Sequence, residues 1–278
     1  MQSNNPVFRR SEEFNRSGAA AYQGFGEPQY GGYTQPGYPA PEAPTTRQGR
    51  MTIDSVVQST AITLAVVFVA AAATWFLTPA IEGADVAEDL APLYAASAIG
   101  GILAFVLSLV NSFKREISPA LVLAFAAAEG VALGAISKTF DAFIGDTIVL
   151  QAVLGTMAAF AGTLAAYKVF DIKVGNKFRT FVVAAMFGMV ALGFLEIILG
   201  LFSADLGLFG FGPLGLLFAV AGLVLGVFML VMDFDFVEQG VRNGIPERES
   251  WRASFAMTVS LVWIYTNLLR ILAILQQD

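Results

Sequence analysis

The sequence predicts an all-α polytopic membrane protein, a bundle of seven transmembrane helices behind a polar N-terminal tail, and three observations predict it. Of 278 residues, 56% are hydrophobic and 14% charged, whereas soluble domains carry about 25% charged residues. From Ser55 onward the apolar residues gather into runs of roughly 20, the length an α-helix needs to cross about 30 Å of hydrocarbon. The runs carry no polar stripe of the soluble amphipathic kind, and helices apolar all round belong in a bilayer.

The elements follow in order. Residues 1–50 contain runs such as YQGFGEPQYGGYTQPGYPAPEAP, rich in Gly, Pro, Gln and Tyr and nearly free of aliphatic side chains. Such a segment buries too little apolar surface to offset its ordering entropy, so it reads as a disordered tail ahead of a membrane domain at 51–278. No apolar stretch follows its charged start before Ser55, which argues against a cleavable signal peptide. The expected spans are Ser55 to Leu77, Ala91 to Phe113, Ser118 to Ser137, Thr147 to Tyr167, Thr180 to Phe202, Pro213 to Met232 and Ala253 to Leu275.

Orientation follows from the cations, which cytoplasmic loops retain. Fourteen of the 16 fall on one side: Arg9, Arg10, Arg16, Arg47 and Arg50 in the tail, then Lys114 and Arg115, then Lys168, Lys173, Lys177 and Arg179, then Arg242, Arg248 and Arg252. The opposite loops hold only Lys138, and the first of them is acidic, with Glu82, Asp85, Glu88 and Asp89. Arg270 lies near the outer end of the seventh span, where it can snorkel. The N-terminus is therefore expected in the cytoplasm and Asp278 outside, unless the last block is re-entrant.

Composition also excludes chemistry. There is no cysteine and no histidine, hence no disulfide framework, thiolate zinc site, thiol nucleophile or Ser-His-Asp triad. No Walker or dinucleotide fingerprint is present. With a net charge of -6 there is no basic footprint for nucleic acid. No enzyme activity and no cofactor are expected, and if cations or protons are handled, carboxylates must do it.

Two carboxylates fall inside the spans. Glu129 lies near the middle of the third and Glu196 in the outer third of the fifth. A carboxylate at that depth costs several kcal/mol unless protonated, paired or wetted, so each either lines a polar path or is bonded to a neighbouring helix. The densest acidic feature, Met232-Asp233-Phe234-Asp235-Phe236-Val237-Glu238-Gln239, is expected at the cytoplasmic end of the sixth span. On a continuing helix Asp235 and Glu238 are i, i+3 neighbours, while Asp233 points roughly 160° away from Asp235. Three carboxylates suit a hard cation such as Ca²⁺, with Asp233 and Asp235 as candidate ligands, although the spacing is not that of an EF-hand and binding should be weak. Two Gly-x-x-x-Gly patterns, Gly130 to Gly134 and Gly222 to Gly226, favour close helix packing within the chain.

The third span AFAAAEGVALGAIS, the turn SFKREISPA, and an acidic exit from span six followed by a last helix closing in Asn267-Leu-Leu-Arg-Ile-Leu-Ala-Ile-Leu together resemble the Bax inhibitor-1 superfamily, in its bacterial branch. The resemblance covers 51–278. It implies a bundle with a central last helix in the cell membrane and a pH-sensitive Ca²⁺ leak, gated by two hydrogen-bonded aspartates on helices six and seven. By resemblance the first falls on Asp233, or on Asp235 in a shifted register. The second falls on Ser260, counted back from Arg270 without gaps, or on Asn267 if shifted, and neither is acidic. A shared-proton dyad needs two carboxylates. Substitute pairings are Glu129 with Asp233 or Asp235 across helices three and six, or Arg270 as a counter-ion.

Two function classes follow. The first is a cation leak channel or exchanger, for Ca²⁺, with Asp233, Asp235, Glu129 and Glu238 along the path. The alternative is a non-transporting regulator that binds other membrane proteins, such as a quality-control protease, through the aromatics Phe8, Phe14, Tyr22, Phe25, Tyr30, Tyr33 and Tyr38 of the tail.

Overall fold

The computed structural model describes residues 49–79, 81, 86–145 and 147–277, with the side chains of 86–89 excepted. The tail expected at 1–50 lies outside the described residues up to 48, together with its aromatics and Arg9, Arg10, Arg16 and Arg47. So do Glu82, Asp85, the side chains of Glu88 and Asp89, and Asp278.

Among the described residues seven helices follow one another: α1 (Ile53–Leu77), α2 (Val86–Phe113), α3 (Pro119–Ile144), α4 (Ile148–Val169), α5 (Asn176–Leu201), α6 (Pro213–Asn243) and α7 (Glu249–Gln276). All seven are long and apolar enough to cross a membrane. Their ends are set by local chemistry. Thr52 and Ser55 form a capping box that satisfies free amides of α1. α3 and α6 start on Pro119 and Pro213, whose missing N–H costs nothing there. α6 stops at Gly244, which takes the left-handed φ of 62°.

The spans expected from hydropathy correspond one to one with these helices, but several ends move, α2 starting at Val86 and α5 at Asn176, and three further shifts bear on charged residues. α3 runs past Ser137 to Ile144 and takes Lys138 out of the loop to which the sequence assigned it. α6 runs past Met232 to Asn243, so Asp233, Asp235 and Glu238 stand inside a helix rather than at its exit. α7 begins at Glu249, which turns Arg252 from a loop cation into a buried helical one. The physical reason is the same in each case: a polar residue that finds a partner, on a neighbouring helix for Lys138 and Asp233 and within α7 and on the α2–α3 turn for Arg252, need not end the helix that carries it.

The last helix is central. α7 packs against α1, α3, α4 and α6, whereas α5 packs mainly on α6, and α2 on α3. Both glycine patterns work within the chain. A Cβ at Gly130 or Gly134 would strike the carbonyl oxygens of Val67 and Ala71, so α3 lies backbone to backbone on α1. A Cβ at Gly222 would strike the side chain of Asn267, and Trp263 donates its indole N–H to the Gly222 carbonyl at 2.8 Å. Between α1 and α7 runs a ladder of buried hydroxyls: Ser59 donates to the Ser250 carbonyl at 3.0 Å, Ser254 to the Ser59 carbonyl at 3.0 Å, and Thr63 meets Ser254 at 2.7 Å.

One end of the bundle gathers the start of α1, the α2–α3, α4–α5 and α6–α7 connections, and the described cations other than Lys138 and Arg270; we call it the basic end. There the segment before α1 pairs with the α6–α7 turn. Met51 N–H donates to the Ile245 carbonyl at 2.8 Å and Glu247 N–H to the Gly49 carbonyl at 2.7 Å.

Candidate functional site

Two of the three acids on the Asp233–Glu238 stretch of α6 are buried, and Glu238 is exposed. Residues from Leu230 through Val237 are all buried, with Asp233 7% and Asp235 8% exposed. Phe234 accounts for part of this by packing against Phe160 and Tyr167 of α4. The phenylalanines that alternate with the aspartates therefore wall them from lipid and water.

Each acid has its own partner. Asp233, about 15 Å along α6 from its end at Asn243, accepts a 2.6 Å hydrogen bond from the Ser260 hydroxyl on α7. Asp235 pairs with Arg179 of α5 and accepts from Gln239 Nε2 at 2.7 Å. Glu238 accepts from the Tyr167 hydroxyl of α4 at 2.8 Å and pairs with Arg242. Over about two helical turns α6 is thus tied to α7, α5 and α4 in succession. Charge-assisted contacts of this kind carry roughly twice the strength of neutral ones.

The candidate ligands for Ca²⁺ do not converge. The helix turns Asp233 toward α7 and Asp235 toward α5, and among the described residues no group of three or more acids is placed to hold a metal. The two aspartates thus point to different helices, as the roughly 160° between them on a continuous helix predicts.

The other expected residues are placed as follows. Glu129 is half-buried in α3, and among the described residues no hydrogen bond or ion pair joins it to Asp233 or Asp235. Asn267 is buried against Gly222 and donates to the Trp263 carbonyl at 2.7 Å, so it is not the partner of an acid. Arg270 is no counter-ion to the aspartates. It donates to the Leu208 carbonyl at 2.6 Å and lies over the Phe209 ring, 5.4 Å from its centroid. Glu196 accepts the amides of Leu206 and Leu208 at 2.9 and 3.0 Å. Both residues thus grip the loop between α5 and α6.

A family model described as Bax inhibitor 1 like matches residues 5–277. The chain belongs to the Bax inhibitor 1 like family. No curated protein matches it. The family match begins at residue 5, so it takes in most of the tail that the motif resemblance left outside. In this member of the Bax inhibitor 1 like family a serine hydroxyl, not a second carboxylate, faces the sixth-helix aspartate.

Three polar contacts escaped the sequence reading. Arg179 reads as one of four cations in a loop, and nothing in the sequence places it beside Asp235. The Glu249–Arg252 pair, with Arg252 and Glu249 both fully buried, does leave a trace in its i, i+3 spacing. Arg252 Nε reaches Glu249 at 2.7 Å and its Nη2 donates to the Arg115 carbonyl at 2.9 Å, tying α7 to the α2–α3 turn. Lys138 donates to the carbonyls of Trp75 and Thr78, each at 2.7 Å, and so caps the C-terminus of α1, where a helix end attracts a cation.

Proposed function

We propose that this protein is an integral membrane cation channel or exchanger with Ca²⁺ as the transported ion and no enzyme activity. We place it in the cell membrane with the basic end and the N-terminus in the cytoplasm, as the distribution of lysines and arginines favours. The observation that carries the reading is the burial of Asp233 against Ser260 at the contact of α6 with the central helix α7. A buried carboxylate with a single hydroxyl partner is expensive to keep at membrane depth, and polar groups there mark ion and proton paths.

In this reading the described arrangement is the closed one. Moving α6 away from α7 separates Asp233 from Ser260 and presents their oxygens, which suit a hard cation, to the gap. Asp235 lies nearer the basic end on the α5 face of α6, where Arg179 occupies it; with the guanidinium removed, its free charge draws a cation to this end of the helix. With Ser260 in place of an acid, any pH modulation of the path does not run through a shared-proton dyad. Burial of both aspartates favours transport over the regulator reading, which would leave them facing water.

The test is Ca²⁺ flux into liposomes containing the purified protein. The double variant Asp233→Asn, Asp235→Asn is expected to lower flux by about tenfold or more, a barrier change of about 1.4 kcal/mol. Flux equal to that of the parent removes both residues from the path.

A further inference from the structure

Two cavities, of about 750 and about 520 Å³, lie end to end; neither is lined by Asp233 or Asp235, and the larger takes in the Tyr167–Glu238–Arg242 contact. Both are walled by α1 and α4, and both include Leu64, so together they form one cleft, floored by α6 and Met257 at its basic end and by α7 beyond. Its middle and far portions are mostly apolar, with Phe68, Leu150, Val153 and Met157 among the walls and Ser137, Asp141 and Tyr265 among the polar exceptions. Its basic-end portion is different. Lys168 and Arg242 stand at that mouth with Asp171 and Glu238, and the two acids already have cations, Lys173 and Arg242. Lys168 has no carboxylate partner among the described residues.

Thr60 adds an independent sign of a ligand. It lines the larger cavity and is 8% exposed, yet its hydroxyl has no hydrogen-bond partner. Other hydroxyls in these helices return to a carbonyl one turn back, as Thr63 does to Ser59 and Thr74 to Ala70. An unpaired hydroxyl at this depth asks for an acceptor from outside the chain, because leaving it unmade costs about 1–3 kcal/mol.

We propose that the α1–α4 cleft holds one glycerophospholipid, its anionic headgroup at Lys168, an ester carbonyl accepting from Thr60, and an acyl chain lying along α7. The dimensions fit. Half of the roughly 30 Å hydrocarbon thickness is about 15 Å, and the same rise separates Thr60 from Ala70 at about 1.5 Å per residue. Leu64 then marks the narrows through which the chain passes from one cavity to the next. The ligand class follows from the combination of an apolar slot open to the bilayer, one buried donor, and one uncompensated cation at the headgroup level.

Native mass spectrometry tests this on full-length protein extracted in mild detergent from vesicles of phosphatidylglycerol and phosphatidylethanolamine in equal parts. The expected result is one phosphatidylglycerol per chain that survives washing. Leu64→Phe, which blocks the narrows, should reduce its retention about tenfold, and Thr60→Val about fivefold, the share of one neutral hydrogen bond. Lys168→Ala should abolish the preference for phosphatidylglycerol. Thr60→Val removes one unpaired hydroxyl at little change in shape, so it decides the matter if Leu64→Phe does not fold. Parent-like retention in Thr60→Val, or a co-purifying protein in place of lipid, overturns the proposal, and equal retention of both lipids by the parent overturns the headgroup assignment.

Discussion

The two ends of the bundle use charge in opposite ways. At the basic end, carboxylates meet side chains: Asp233 with Ser260, Asp235 with Arg179 and Glu238 with Tyr167 on other helices, and Glu249 with Arg252 one turn along its own. At the far end, charged groups meet backbone: Glu196 takes amides of the α5–α6 loop, Arg270 a carbonyl of the same loop, and Lys138 the last carbonyls of α1. A side-chain partner can swing away or be replaced by an ion, whereas a backbone partner moves only if the fold does. A charged residue at membrane depth is therefore a functional candidate according to what it touches, not merely because it is charged.

The sharpest way to break this contrast is Arg252→Met. It strands Glu249, whose Oε1 already has no partner, in a fully buried place, and loss of one member of a buried pair costs about 3–5 kcal/mol. Reversible unfolding in mixed detergent should report that loss, and Glu249→Leu in the same chain should recover most of it. A smaller change would mean that the pair is not sealed from water.

Arg179→Met sharpens the comparison from the functional side. Asp235 keeps only Gln239, so stability should fall by about 2 kcal/mol, the cost of an unsatisfied charged group still partly bonded. Ca²⁺ flux into liposomes should rise several-fold, because the freed charge of Asp235 draws cations to this end of the helix. Lower flux would show that Arg179 holds the path open rather than closed.

The smallest effect belongs to the far end. Lys138→Met leaves the carbonyls of Trp75 and Thr78 without their cap and should lower stability by about 1–2 kcal/mol. Flux per folded molecule should stay that of the parent. A change in flux here would erase the distinction between the two ends.

Much of the fold was legible in the sequence, because the bilayer demands helices of a fixed length and the apolar runs declare them. The central position of α7 came from family resemblance, and its residue pattern agrees: Ser250, Ser254 and Thr258 recur every four residues, and the first two meet Ser59 and Thr63, also four apart. The helix ends were less legible. Hydropathy stops a span at the first charge, so it ended α6 before Asp233 and began α7 after Arg252, since it has no knowledge of Ser260 or Glu249 as partners. Of the candidate site, Asp233 and Ser260 come together at the positions the ungapped count gives. The Arg179–Asp235 pair links residues 56 positions apart, and no local pattern encodes a contact between helices so far separated.

The strap at the basic end, where Met51 and Glu247 exchange backbone bonds with Ile245 and Gly49, also has a mechanical consequence. The chain is anchored to the α6–α7 turn at Gly49 and Met51, just before it enters α1. A pull on the chain from its N-terminal side is delivered first to the hinge joining the two helices that carry Asp233 and Ser260, so a load on the tail acts as a lever at their junction rather than being spread through the bundle.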